Sequence, residues 1–113
     1  MASTRSHLQL NVTTVAAAGS NSQANSTLVP KVPVVVVTTV SSTARGVRLP
    51  ADLPVGAGIQ IFNGTGTAVN VYPGVGGWIN SLATNAVKAQ AANTGCEYRQ
   101  VSAGRWRVIV GAA

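Results

Sequence analysis

The chain has 113 residues, of which 46% are hydrophobic, 9% charged and 4% aromatic, and eight Lys and Arg against two acids give a formal charge of +6. That length holds one small domain and excludes a multidomain reading. Charged residues usually form about a quarter of a globular chain, so this surface must be covered largely by Ser, Thr, Asn, Gly and Ala, which suits lattice contacts.

Residues 1–27 are short, polar and rich in Ser, Thr, Asn and Ala, and they read as an extended N-terminal arm, with the domain proper at 28–113. Within the arm, Leu8, Leu10 and Val12 alternate with Gln9 and Asn11, the period of a strand with one apolar face. Such a strand cannot stand alone. The arm is expected to reach out and extend the sheet of a partner, leaving a chain that starts near Leu28 folded.

From Leu28 onward β-type runs fall at 34–40, 46–49, 58–62, 68–72, 97–102 and 106–110, separated by Gly, Pro and Asn. The four valines at 34–37 suit a strand buried on both faces, with Val35 a candidate for an interface between copies. Asn63-Gly64-Thr65-Gly66 predicts a hairpin, because Asn and Gly tolerate the positive φ of tight turns, and Ala103-Gly104 predicts a second short link. Ile79, Leu82, Ala83, Ala86 and Val87 have helical spacing, but Asn85, Asn93 and Thr94 break the stretch. A turn or one helical turn at 79–84 followed by a strand near 86–90 is expected. Val12-Thr13-Thr14-Val15 recurs at 37–40, yet the flanks do not align and no repeat is assigned.

Catalytic chemistry finds little material. His7 is the only histidine and lies in the arm, Asp52 and Glu97 are the only acids, and Cys96 is the only cysteine. A nucleophilic triad, a carboxylate pair or a metal centre needs more than these supply, so no enzyme, metal or cofactor is expected. Cys96 forms no intrachain disulfide and reads as a small residue beside a strand. No stretch has the roughly 20 apolar residues of a membrane span, and no export signal is expected at the N-terminus. Gly74-Val75-Gly76-Gly77 lacks the spacing of a phosphate loop. Its glycines are expected to turn a corner that sets Trp78 over a sheet edge or a neighbouring subunit.

The cations are dispersed, and the basic excess follows from the scarcity of acids. Arg105 and Arg107 alternate with Trp106 and Val108, which gives a terminal strand with Trp106, Val108 and Val110 facing the core. Arg99, Arg105 and Arg107 then form a candidate patch for acidic groups of a protein partner, and Glu97 is expected to face Arg99 or Arg107. Nucleic acid is disfavoured as a partner because few aromatic platforms accompany these arginines.

The runs at 46–50, 58–63, 69–73 and 77–82, followed by Trp106, resemble small β-rich structural proteins of tailed bacteriophages, particularly capsid cement or decoration proteins. The resemblance covers roughly residues 30–110. It implies an all-β, commonly oligomeric module that binds the outer surface of a major capsid lattice and has no catalytic residues. The fold expected is a small antiparallel β-sandwich or barrel, jelly-roll topology being left open, assembled as a homotrimer. The protein would be made in the host cytoplasm and end on the virion surface, with Leu8, Leu10, Val12, Val35, Trp78, Arg99, Arg105 and Arg107 as interface candidates. A head-fibre or tail-associated receptor-binding domain and a basic nucleic-acid binder are the alternatives.

Overall fold

The computed structural model describes residues 12–111. Ten strands form two sheets, and no helix occurs among the described residues. In chain order they are β1 (Val12–Ala16), β2 (Thr27–Leu28), β3 (Val34–Thr39), β4 (Gly46–Arg48), β5 (Gly58–Asn63), β6 (Val69–Tyr72), β7 (Trp78–Ile79), β8 (Lys88–Gln90), β9 (Thr94–Ser102) and β10 (Arg105–Gly111). The larger sheet has the order β1-β3-β5-β9-β10-β7 and the smaller one β2-β4-β6-β8.

The all-β expectation holds, whereas the antiparallel sandwich or barrel gives way to a solenoid-like arrangement. β1, β3 and β5 are parallel neighbours in the larger sheet, and β2, β4 and β6 are parallel neighbours in the smaller. The chain thus passes from one sheet to the other and back in three successive coils. After β6 the pairing changes: β8 runs antiparallel to β6, and β9 runs antiparallel to both β5 and β10. These strands close one end of the coil stack.

The corner after β5 shows why the predicted hairpin fails. Asn63 is buried at 1% exposure, its Oδ1 accepting from the Thr65 amide at 3.1 Å and the Thr65 hydroxyl at 2.7 Å. Its Nδ2 donates to the Thr67 carbonyl at 2.8 Å. An asparagine that mimics backbone in this way turns the chain through a corner and delivers β6 to the opposite sheet. The Ala103-Gly104 link does join an antiparallel pair, with Gly104 at φ +76°. Ile79 ends β7, and the segment 80–87 is built of turns before β8 at Lys88–Gln90, so a turn and a strand follow as expected, with the strand starting later than 86.

Coil length is irregular, which hides the repeat. Val12 faces Val34 and Val34 faces Gln60, so the second coil is longer than the first. The two Val-Thr-Thr-Val runs are not in register, since Val12 lies opposite Val34 and Val15 opposite Val37. Of the valine run, Val35 and Val37 are fully enclosed while Val34 and Val36 are half-buried, so β3 has one core face and one outer face. Val35 is therefore a core residue of the single chain, unlike the interface role expected of it.

Residues 12–27, assigned from the sequence to an arm, run along the body. Val15 and Ala17 pack against the core, and Ala17 donates to the Thr39 carbonyl at 2.9 Å. The boundary after residue 27 falls inside β2. Arg45 donates to the Gly19 carbonyl at 2.9 Å and Arg48 to the Gln23 carbonyl at 2.9 Å, tying the first coil to the second. Leu8 and Leu10 lie outside the described residues.

The core between the sheets is built from Val, Ile and Leu around two large side chains, Trp106 and Tyr98, each fully enclosed. Several buried polar side chains are bonded in a network, while Trp106 Nε1 is enclosed without a hydrogen-bond partner among the described residues. The Tyr98 hydroxyl donates to Gln90 Oε1 at 2.7 Å, and Gln90 Nε2 donates to the carbonyls of Ile61 at 2.8 Å and Thr94 at 3.0 Å. Gln100 donates to the Leu53 carbonyl and accepts from the Gly104 amide. Burial pushes the Tyr98 phenol well above its ordinary value, with Cys96 beside it adding in the same direction.

Close packing at the corners makes some glycines irreplaceable and others not. A Cβ at Gly77 would sit 2.6 Å from the Gly104 carbonyl oxygen, to which Trp78 donates its amide at 2.8 Å, while a Cβ at Gly66 meets nothing within 4 Å. Gly77→Ala is therefore expected to destabilise by about 1–3 kcal/mol and Gly66→Ala by less than about 0.5 kcal/mol, as read from urea melts. The unfolded chain releases the Tyr98 proton near an ordinary phenolic pKa of about 10, whereas the folded chain retains it. Stability should fall as pH rises through about 10, and Tyr98→Phe should flatten that alkaline limb of the stability–pH curve.

Candidate docking surface

Alternation along the strands of the larger sheet fixes which residues share its outer face. The pairing places Val12, Val34, Gln60, Glu97 and Ile109 in one row across five strands. The next row holds Thr14, Val36, Phe62, Gly95 and Gly111. Adjacent strands lie about 4.8 Å apart, so each row spans about 19 Å. Val12 is 60% exposed, Phe62 42% and Ile109 63%, which makes this face apolar at both margins and in the middle.

Phe62 lies where a Gly95 side chain would be, its ring 2.6 Å from the position of a Cβ there. The glycine lets the aromatic ring lie flat across the neighbouring strand instead of standing into solvent. Gly58 acts similarly on the adjoining row, since a Cβ there would sit 3.2 Å from Glu97 Oε2. This keeps room for the Arg99–Glu97 ion pair at 2.5 Å, Arg99 being one of the two partners expected for Glu97.

The arginines divide by use. Arg99 is drawn toward Glu97 and also donates to the Gly56 carbonyl at 2.6 Å. Arg107 lies directly opposite Arg99 in the ladder and is exposed. Like charges at facing positions repel, and Glu97 relieves one of the two. Arg105 is half-buried, with its Nε enclosed and without a hydrogen-bond partner among the described residues. The structure therefore brings Arg99 and Arg107 together and sets Arg105 apart at the Ser102 position of the ladder. Trp78 occupies β7, the edge strand beside β10.

Val110, expected in the core from the alternation at 105–108, is 63% exposed. β7 flanks β10 only at Arg105 and Trp106 and Asn80 reaches as far as the Val108 amide, so no strand among the described residues lies beside β10 at Val110 on that side. The sequence reading does not single out Phe62 or Ile109. Strict alternation with Trp106 as an inward reference is the signal that places Ile109 outside.

A groove of about 350 Å³ opens between the β7 end and β8, lined by Asn80, Ser81, Leu82, Val87, Lys88 and Ala89. Asn80 helps to shape it at φ +53°, with its Oδ1 accepting from the Val108 amide at 3.1 Å. The two acids occupy separate ion pairs, Asp52 with Lys31 at 2.8 Å and Glu97 with Arg99. The hydrogen bond from Lys31 holds the Asp52 carboxyl below its usual range. Cys96 is buried.

Structural and free arginines should separate in mutants. Arg48→Ala leaves the Gln23 and Ala24 carbonyls without this donor and should cost about 1–3 kcal/mol in denaturant melts, whereas Arg107→Gln should change stability by less than about 0.5 kcal/mol.

Comparison of the chain with known protein families, with curated proteins and with solved structures finds no match in any of the three.

Proposed function

We propose that this protein is a non-enzymatic structural component of a tailed-phage virion, a capsid cement or decoration protein that lies on the outer capsid lattice. Its partner is the major capsid protein, and it acts as an oligomer, a homotrimer, made in the host cytoplasm and ending on the capsid surface. The observation that carries this reading is the outer face of the larger sheet, where Val12, Phe62, Ile109 and Arg107 are exposed. A broad sheet face of this kind suits a lattice better than a small substrate. Apolar groups supply contact area, and arginine at its margin orients docking against acidic groups.

The same geometry weakens the nucleic-acid alternative. Lys31, Arg45, Arg48 and Arg99 are engaged by carboxylates or backbone carbonyls of the chain itself, so much of the basic excess serves internal contacts. The groove at Asn80–Ala89 favours the other alternative, a head-fibre or tail-associated domain, since its polar and apolar lining suits part of a host-surface receptor.

Co-sedimentation with capsids stripped of the protein tests the docking face. Phe62→Ser combined with Arg107→Gln should weaken retention at least about tenfold with little change in the melt, while Lys88→Gln in the groove should leave retention unchanged. A stained gel of purified virions should show hundreds of copies per particle. Undiminished retention of the double variant, or a few copies per particle, would overturn the cement reading. Unchanged capsid retention in both variants, with binding to host cells lost only in the groove variant, would favour the receptor-binding one. A gel shift with random-sequence DNA at about 150 mM salt should show no tight complex.

A further inference from the structure

The two ends of the larger sheet differ from its middle in one respect: each leaves a strand with a free side. β1 has one neighbour, β3, among the described residues. β10 is flanked on its outer side only at Arg105 and Trp106, where β7 pairs with it, and by Asn80, which bonds to the Trp106 carbonyl and the Val108 amide. Ile109, Val110 and Gly111 have β9 on one side and no strand on the other among the described residues.

Both free segments lack the devices that keep edge strands apart. Val12–Ala16 reads Val-Thr-Thr-Val-Ala and the end of β10 reads Ile-Val-Gly, with no charge and no proline in either. The β10 segment is also apolar on both faces. Ile109 points outward and Val110 inward, and each is 63% exposed. A strand end with apolar groups on both faces is suited to the interior of a sheet with a second layer beneath it.

We propose that the larger sheet continues from one copy of this chain to the next, the free side of β1 pairing with the free end of β10. A second copy fits this place for three reasons. The two segments lie at opposite ends of one sheet, so a single operation repeated brings one against the other and uses both edges. The first coil that arrives with β1 carries β2 of the smaller sheet with it, which supplies the missing second layer under Val110. The chain carries a formal +6, so two copies repel unless they meet through uncharged segments, and these two segments are uncharged. The contact is heterologous and closes into a ring when the rotation between copies divides a full turn. This inference builds on the oligomeric reading of the proposed function and is independent of docking to a capsid.

The test uses the full chain with Cys96→Ala, which removes the native thiol, and single cysteines at two exposed outer-face positions, Val12→Cys and Ile109→Cys. Neighbouring strands bring side chains within about 5–8 Å even when the register is offset by two residues, within reach of a short bismaleimide. Mixing the two variants without capsids should give cross-linked dimers containing one of each, and neither variant alone should cross-link. Val110→Lys should weaken association at least about tenfold in sedimentation equilibrium and leave the melt of the dissociated chain unchanged. Cross-linking of Val12→Cys with itself would show a two-fold β1–β1 contact and overturn the proposal. So would a wild-type chain that remains monomeric at about 100 µM. Cross-linking that persists while capsid retention fails would leave this proposal standing and remove the docking face alone.

Discussion

The parallel register between successive coils is the constraint from which the rest of the molecule follows. With Val12 opposite Val34 and Val34 opposite Gln60, the inward set of each strand is fixed as Val35 and Val37 on β3 and Ile59 and Ile61 on β5. A slip of one residue would carry those side chains to the outer face and bring Gln60 and Phe62 inward. The corners can vary in length because they are free of that restriction. This is how a shorter first coil is followed by a longer second one without disturbing the sheet.

Corners create a polar problem, since a chain leaving one sheet for the other carries carbonyls that no ladder satisfies. The chain solves it with side chains drawn from a composition rich in amides and poor in acids. Arg45 and Arg48 cover carbonyls of the first coil, Asn63 closes the corner after β5, and Gln90 bonds to the carbonyls of Ile61 and Thr94. The high charge therefore follows from structural use of arginine combined with a lack of carboxylates. Among the described residues, Lys88, Arg105 and Arg107 are the cations without an ion pair or side-chain hydrogen bond to the chain, so fewer are uncommitted than +6 suggests.

Strand positions are legible in the sequence because Val, Ile and Thr cluster between glycines and prolines, and the segments at 34–39, 46–48, 58–63 and 69–72 read directly as strands. Their order is not. Parallel pairing between coils depends on contacts far apart in the chain, and a period that lengthens from the first coil to the second leaves no self-similarity to detect. The matching Val-Thr-Thr-Val runs even suggest a false period. Asn63-Gly64 has hairpin chemistry, and only the burial of the asparagine side chain distinguishes a corner from a hairpin. For the surface, alternation alone groups Arg105 with Arg107, whereas setting Arg99 opposite Arg107 and Arg105 apart requires the β9–β10 register, as the role of Phe62 requires knowing that Gly95 stands opposite it.

The closing strands also give the molecule a history during synthesis. β5 finds its first partner, β3, upstream, but its other side waits for β9, whose pairing begins with Thr94 opposite Asn63. At about 5–20 residues per second, ribosomes need on the order of seconds to make the stretch between those two residues. Throughout it the nascent chain presents the open edge of β5, with Ile59 and Ile61 beside it, before the long ninth strand exists to cover them. The speed of translation between Asn63 and Thr94 therefore sets how long each new chain carries that uncovered edge.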